Sequence, residues 1–257
     1  MVTNRLLLIH GAWQGSWAWD YLTPELEKRG WLVHLVDLPG TMLNGQIPSL
    51  ELYVGICEAA LAAFSEKVII IGHSGGAVVA SQVAERLPER VAALVFLAGI
   101  MVPSGRSFSE VASELQSRTA EIMDGIEPYL EWSDDELISR VPESAAAAIF
   151  LHDCESNRVK EASTKLQAQH EAGRAMRPLL TDGRFGRIPR MYVEAENDRS
   201  IPLMLQRYMQ ELVPGALRKT LPTGHAPQIA DPVAVANLLD TELRAYNSSL
   251  RDRTRPG

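Results

Sequence analysis

The chain has 257 residues, 46% of them hydrophobic, with 25 basic and 32 acidic side chains and a net charge of −7. That length holds one α/β domain or two small ones and is enough for a sizeable core. The acidic balance and the lack of a basic stripe exclude nucleic acid as an expected partner. No apolar run is long enough for a membrane span, and Leu6 to Ile9 is too short for a signal-peptide core. A cytoplasmic protein, monomer or homodimer, is expected. Cys57 and Cys154 lack metal-ligand spacing; neutral thiols are the default, with a disulfide between them left open.

In chain order, Arg5 to His10 is a first buried strand, running into the glycine-flanked loop Gly11-Ala12-Trp13-Gln14-Gly15-Ser16-Trp17-Ala18-Trp19. Three of the five tryptophans fall in that loop, which suggests a site rim. Residues 20 to 29 read as a helix stopped by Gly30. Trp31 to Asp37 is a second strand, with Asp37 expected to end it by binding loop amides. Ser49 is an N-cap for a helix over residues 50 to 64. Lys67 to Ile71 is continuous, apolar and β-branched, as a strand covered on both faces should be. From Ala77 the apolar spacing turns helical. Val91 to Leu97 is the next buried strand.

From Pro103 to Arg187 no buried strand is apparent. Helical stretches are expected at 107–123, 133–140, 142–152 and 156–172. A connection this long inside a domain has structure of its own, so residues 103–187 read as a helical cap inserted between two strands. The core then comprises 1–102 and 188–257. Phe108, Leu115, Met123, Ile126, Tyr129, Leu130, Trp132, Phe150 and Leu151 should pack the cap onto the core or line a pocket. Trp132 and Phe150, with Trp13, are the expected substrate contacts. Ile188 to Ala195 and Ala216 to Leu221 are further strands, with a helix over 203–212 between them, and Asp231-Pro232 opens a last helix. Alternating strands and helices predict a mostly parallel, doubly wound α/β sheet, whose site lies beyond the carboxyl ends of the strands.

The chemistry centres on Gly72-His73-Ser74-Gly75-Gly76. G-x-S-x-G between a strand and a helix sets a serine hydroxyl on a sharp turn above the sheet. The helix leaves so close to the strand that a Cβ at Gly72 or Gly76 should collide. A serine hydroxyl needs a base, and the base needs a group to fix its tautomer. His225, the only histidine after residue 170, follows a strand. Asp198 stands in a strand-end loop between them in the order Ser, Asp, His. Glu194 and Glu196 are its rivals. The oxyanion donors expected are the Gly75 and Ala12 amides.

Taken together, several segments resemble one family: Ile9-His10-Gly11-Ala12-Trp13, Gly15-Ser16-Trp17-Ala18-Trp19, Gly72 to Gly76, Leu94 to Gly99, Phe150-Leu151-His152-Asp153-Cys154, Glu196 to Pro202 and Gly224-His225. The chain resembles an α/β-hydrolase, of the branch containing plant methylesterases, hydroxynitrile lyases and bacterial pyrethroid-hydrolase-like esterases. The resemblance implies Ser74, Asp198 and His225 as a catalytic triad, no organic cofactor and no metal; the apolar cap and the tryptophan rim favour a small hydrophobic ester as substrate. The lyases of this branch carry a lysine close after the catalytic histidine and a threonine in the first loop; here Ala226-Pro227 and Ala12 stand in those places. That favours ester hydrolysis over cyanide release. Lyase or cofactor-free oxygenase chemistry, amide or carbamate hydrolysis, and a non-catalytic ligand receptor are the alternatives.

Overall fold

The computed structural model describes residues 3–121 and 124–253. Met123, one of the expected cap residues, lies outside them. Six strands form one parallel sheet: β1 (Arg5–Ile9), β2 (Leu32–Val36), β3 (Val68–His73), β4 (Val91–Leu97), β8 (Arg190–Ala195) and β9 (Ala216–Leu221), in the order β2-β1-β3-β4-β8-β9. The helices between them are α1 (Leu22–Glu27), α2 (Leu50–Ala62), α3 (Gly76–Arg86) and α7 (Leu203–Leu212), and α8 (Pro227–Ala230) and α9 (Pro232–Arg253) follow the last strand. This is the doubly wound α/β architecture expected. Ser49 caps α2 by accepting from the Leu52 amide, as anticipated.

Successive strand residues point to opposite faces, and both faces are dry. Leu7, Ile9, Ile70, Leu94, Phe96 and Tyr192 face α2 and α3. Leu6, Leu8, Ile69, Ile71, Val95 and Val193 face Leu22 and Leu26 of α1 and Val235, Leu239 and Leu243 of α9. Fully burying each such aliphatic side chain contributes about 1.5–3 kcal/mol. The central strands therefore have no solvent face, and their polar groups collect at the carboxyl ends. Edge strand β2 differs: Leu32 and Leu35 are exposed.

Between β4 and β8 the expected all-helical cap is corrected. Helix α4 (Phe108–Gln116) is present, closed by a capping box from Ser107 and Glu110. The stretch 133–140, read as a helix, is instead a turn and a strand. β5 (Glu131–Trp132), β6 (Ile138–Arg140) and β7 (Gln169–His170) form a small antiparallel sheet. Asp135 makes the turn by accepting from the Leu137 amide at 3.1 Å and the Ser133 hydroxyl at 2.6 Å. Such local side-chain bonds compete with helix formation. Residues 142–152 begin as one turn, α5 (Glu143–Ala145), and widen into a π-helical turn over Ala146–Phe150. Helix α6 (Ser156–Lys165) stops earlier than expected because residues 166–170 extend to join the small sheet.

Candidate active site

The turn after β3 is as tight as its glycines require. A Cβ at Gly72 would lie 2.4 Å from Ala77 Cα, and one at Gly76 would lie 2.4 Å from His10 O and 2.5 Å from Ile9 O. Ser74 between them has φ +50°, a left-handed conformation that costs a non-glycine residue about 1–3 kcal/mol. Its carbonyl receives the amides of Ala77 at 3.1 Å and Ile100 at 2.9 Å, which hold the strained turn. Ser74 opens into a cavity of about 630 Å³. Leu38, Val79, Ile100, Phe108, Met176 and Ile201 form its apolar wall.

The acid loop follows β8. Asp198 Oδ2 lies 2.8 Å from His225 Nδ1, while Oδ1 accepts the amides of Ser200 at 2.7 Å and Ile201 at 2.8 Å. Gln206 fixes the loop's ends: its Oε1 accepts from the Ala195 amide and its Nε2 donates to the carbonyls of Ala195 and Ile201. The two rival carboxylates are elsewhere. Glu194 is fully buried among Arg207, Gln210, Arg218 and Thr220, and Glu196 is exposed.

His225 is held through its backbone as well as its ring. The Gly224 amide donates to Asp153 Oδ2 at 2.5 Å, and the His225 carbonyl lies 2.8 Å from His73 Nε2. Its ring sits between Phe150, centroid to centroid 5.2 Å, and His73 at 5.0 Å. His225 and Asp198 are buried, and neither is among the residues that line the cavity. Among the described residues the Ser74 hydroxyl is not hydrogen-bonded, to His225 or any other group. Such contacts are commonly loose in resting enzymes and tighten when substrate docks.

The first loop faces Ser74. Ala12 N lies 3.9 Å from where a Gly75 Cβ would be. Among the described residues neither amide has a hydrogen-bond partner. His10 donates from Nδ1 to Gly11 O at 2.8 Å and accepts the Leu38 amide on Nε2 at 2.9 Å, which fixes its tautomer. Burial lowers its pKa and keeps it neutral. In the trans peptide between Gly11 and Ala12, N–H and C=O point opposite ways. Holding Gly11 O therefore turns the Ala12 N–H away from His10. Asp37 does what was expected of it, accepting from Ser16 N at 2.5 Å and from Ser16 Oγ at 2.9 Å.

Of the expected substrate contacts, Trp13 lines the cavity. Trp132 does not: it is 40% exposed, on the far side of the Arg174 guanidinium, which lies 4.4 Å over the Trp13 ring and 5.9 Å from that of Trp132. Phe150 packs on Trp13 and His225 behind the cavity wall. Gln14, His73, Gln169 and Gln206 have parts that no local signal in the sequence assigns, since distant partners set them, whereas Asp153 belongs to a segment already singled out and has a structural part, on the Gly224 amide. Cys57 and Cys154 are free, and burial pushes both thiols up to about 12.

A family model described as "Alpha/beta hydrolase family" matches residues 6–238. The chain belongs to the alpha/beta hydrolase family. This alpha/beta hydrolase is 30% identical over 250 residues to the pyrethroid hydrolase of Sphingobium wenxiniae, covering 93% of this chain and 87% of that one. It is 26% identical to methylesterase 1 of Arabidopsis thaliana, covering 89% and 92%. The crystal structure of a pyrethroid hydrolase from Sphingobium faniae superposes with a TM-score of 0.83 at 26% identity, over 95% of this chain and 98% of that one. By these relatives the alpha/beta hydrolase stands among carboxylic ester hydrolases. Among its described residues no helix is long and apolar enough to cross a membrane.

Proposed function

We propose that this alpha/beta hydrolase cleaves a small hydrophobic carboxylic ester through an acyl-enzyme, with Ser74 as nucleophile, His225 as base and Asp198 as its orienting acid. His225 takes the Ser74 proton as Oγ attacks the ester carbonyl. The Ala12 and Gly75 amides receive the oxyanion. His225 then protonates the leaving alcohol, and water activated by the same ring releases the acid. The observation that carries this reading is the 2.8 Å contact between Asp198 and His225 Nδ1. It assigns the proton to Nδ1 and leaves Nε2 as the basic nitrogen. The apolar cavity wall supports a hydrophobic substrate.

Cyanide release is disfavoured by the same geometry. Buried Ala226 follows His225, and among the described lining residues the one Lys or Arg is Arg174, already paired with Glu127 and Glu171. Labelling with a fluorophosphonate, peptide mapping and turnover of a p-nitrophenyl ester series test the proposal. A covalent adduct on Ser74 together with hydrolysis is expected, both lost in Ser74→Ala and His225→Ala. An unlabelled Ser74 and no turnover of any ester would overturn it.

A further inference from the structure

The oxyanion loop is gripped by the cap as well as by the core. Trp13 follows Ala12 and has φ +60°, a conformation a bulky residue does not adopt unaided. Four contacts from the cap hold it. Gln169 Oε1 accepts the Trp13 amide at 3.3 Å, and the Gln167 amide donates to the Trp13 carbonyl at 2.7 Å. The indole N–H donates to Ser139 Oγ at 3.1 Å, and the Arg174 guanidinium covers the ring.

Gln169 has no freedom to turn. Its Nε2 donates to the Tyr53 hydroxyl at 3.1 Å, and that hydroxyl is spent as a donor on Pro39 O at 2.9 Å. The amide oxygen is thereby left facing Trp13. Gly173 makes room for this arrangement, since a Cβ there would lie 2.3 Å from the Tyr53 hydroxyl and 2.7 Å from Gln169 Nε2. Gln169 is itself buried.

Two peptide planes flank the Ala12 Cα. His10 fixes the one before it, through Gly11 O, and Gln169 fixes the one after it, through the Trp13 N–H. The first plane carries the Ala12 N–H itself, and with the second plane also held the two torsions of Ala12 are fixed, so the first plane is anchored from both sides. We propose that Gln169, on cap strand β7, is a positioning residue that presets the Ala12 donor of the oxyanion hole through Trp13. The cap is then part of the catalytic geometry: a displaced β7 releases the second plane, and the plane carrying the donor is left held on the His10 side alone. This assignment rests on the ester-hydrolase reading above.

A trifluoromethyl ketone and a non-hydrolysable ether of the same side chains separate the effects. The ketone's hemiketal oxygen occupies the oxyanion position; the ether has no such oxygen. Gln169→Met should weaken ketone binding about 10-fold or more and lower kcat to match. Ether binding and KM should stay within about 2-fold, since donors aimed at the oxyanion act only in the transition state. Ser139→Ala, which frees the indole, should show the same split in smaller measure and serves if Gln169→Met does not fold. Ketone and ether weakened alike, or neither weakened, would overturn the assignment of Gln169. A wild-type chain that neither binds the ketone nor turns over esters would overturn the ester-hydrolase reading instead.

Discussion

The serine turn shows how single residues decide this site. Gly76 is closed to any side chain because backbone carbonyls of β1 occupy the Cβ position, and backbone cannot move aside as a side-chain end can. Gly76→Ala should therefore cost about 3 kcal/mol or more, read as loss of soluble protein or a large drop in the urea midpoint. Gly55 is the opposite case. It lies exposed inside α2 with nothing within 4 Å of a Cβ. Gly55→Ala should stabilise by about 0.5–1 kcal/mol and raise Tm by about 2 °C, checked by calorimetry. His73 adds a pH dependence. Burial, and then the neighbouring His225, hold its pKa down at about 3, and burial also lowers that of His10. The unfolded chain binds protons on both rings near pH 6.5 while the folded chain leaves them neutral. For His73, stability present above pH 6.5 is therefore lost as pH falls from there towards about 3, by up to about 1.4 kcal/mol per pH unit, and His10 adds a loss of the same sign as pH falls below 6.5. Urea denaturation at pH 7.5, 6 and 5 measures it. A flat profile would mean the rings are protonated in the native state.

At the level of elements, what was legible in the sequence followed one physical rule. Strands covered on both faces carry continuous apolar runs, so β1, β3, β4 and β8 announced themselves, and the polar residues after β3 and β8 marked Ser74 and Asp198 as candidates, while His225 stood in the loop after β9. The cap has no such rule. Its strands are two or three residues long and half-exposed, too short for an alternating pattern, and their pairing is set by contacts with residues far away in sequence. The turn chemistry of Ser133 and Asp135 was the available signal, masked by neighbours that suit a helix. Residues that work through a partner were likewise hidden, because nothing local distinguishes Gln169 from any polar residue. Asp153 ties the cap to the loop carrying His225 by accepting the Gly224 amide, and the packing is close: a Cβ at Gly224 would lie 2.6 Å from Asp153 Oδ1. Asp153→Ala should lower kcat about 10-fold, with ester KM little changed. Asp153→Asn keeps an oxygen acceptor and should restore most of it. Steady-state kinetics of the pair decide the matter; equal losses in both variants would mean the carboxylate acts by its charge and not by holding the amide.

The whole molecule presents an acidic mouth to its substrate. The chain carries a net charge of −7, and among the described residues the cavity lining includes Asp124, Glu127 and Glu171 against the one guanidinium of Arg174. Arg174 is committed, bonded to both Glu127 and Glu171 and stacked on Trp13, so it offers little to an incoming anion. Deeper in, the wall near Ser74 is apolar. A neutral ester meets no opposing field on entry and gains contact with that wall. The acid produced by hydrolysis becomes an anion there and is driven outward by the same field. Turnover of a neutral p-nitrophenyl ester should therefore exceed that of an equally long ester bearing a free carboxylate by about 10-fold in kcat/KM at low salt. The gap should narrow as ionic strength rises beyond about 0.15 M, where charges more than about 8 Å apart are screened. Glu127→Gln combined with Asp124→Asn should narrow it without added salt, because the field is then weakened at its source. If the anionic ester is turned over as fast as the neutral one at low salt, the rim does not select, and the preference must come from the apolar wall alone.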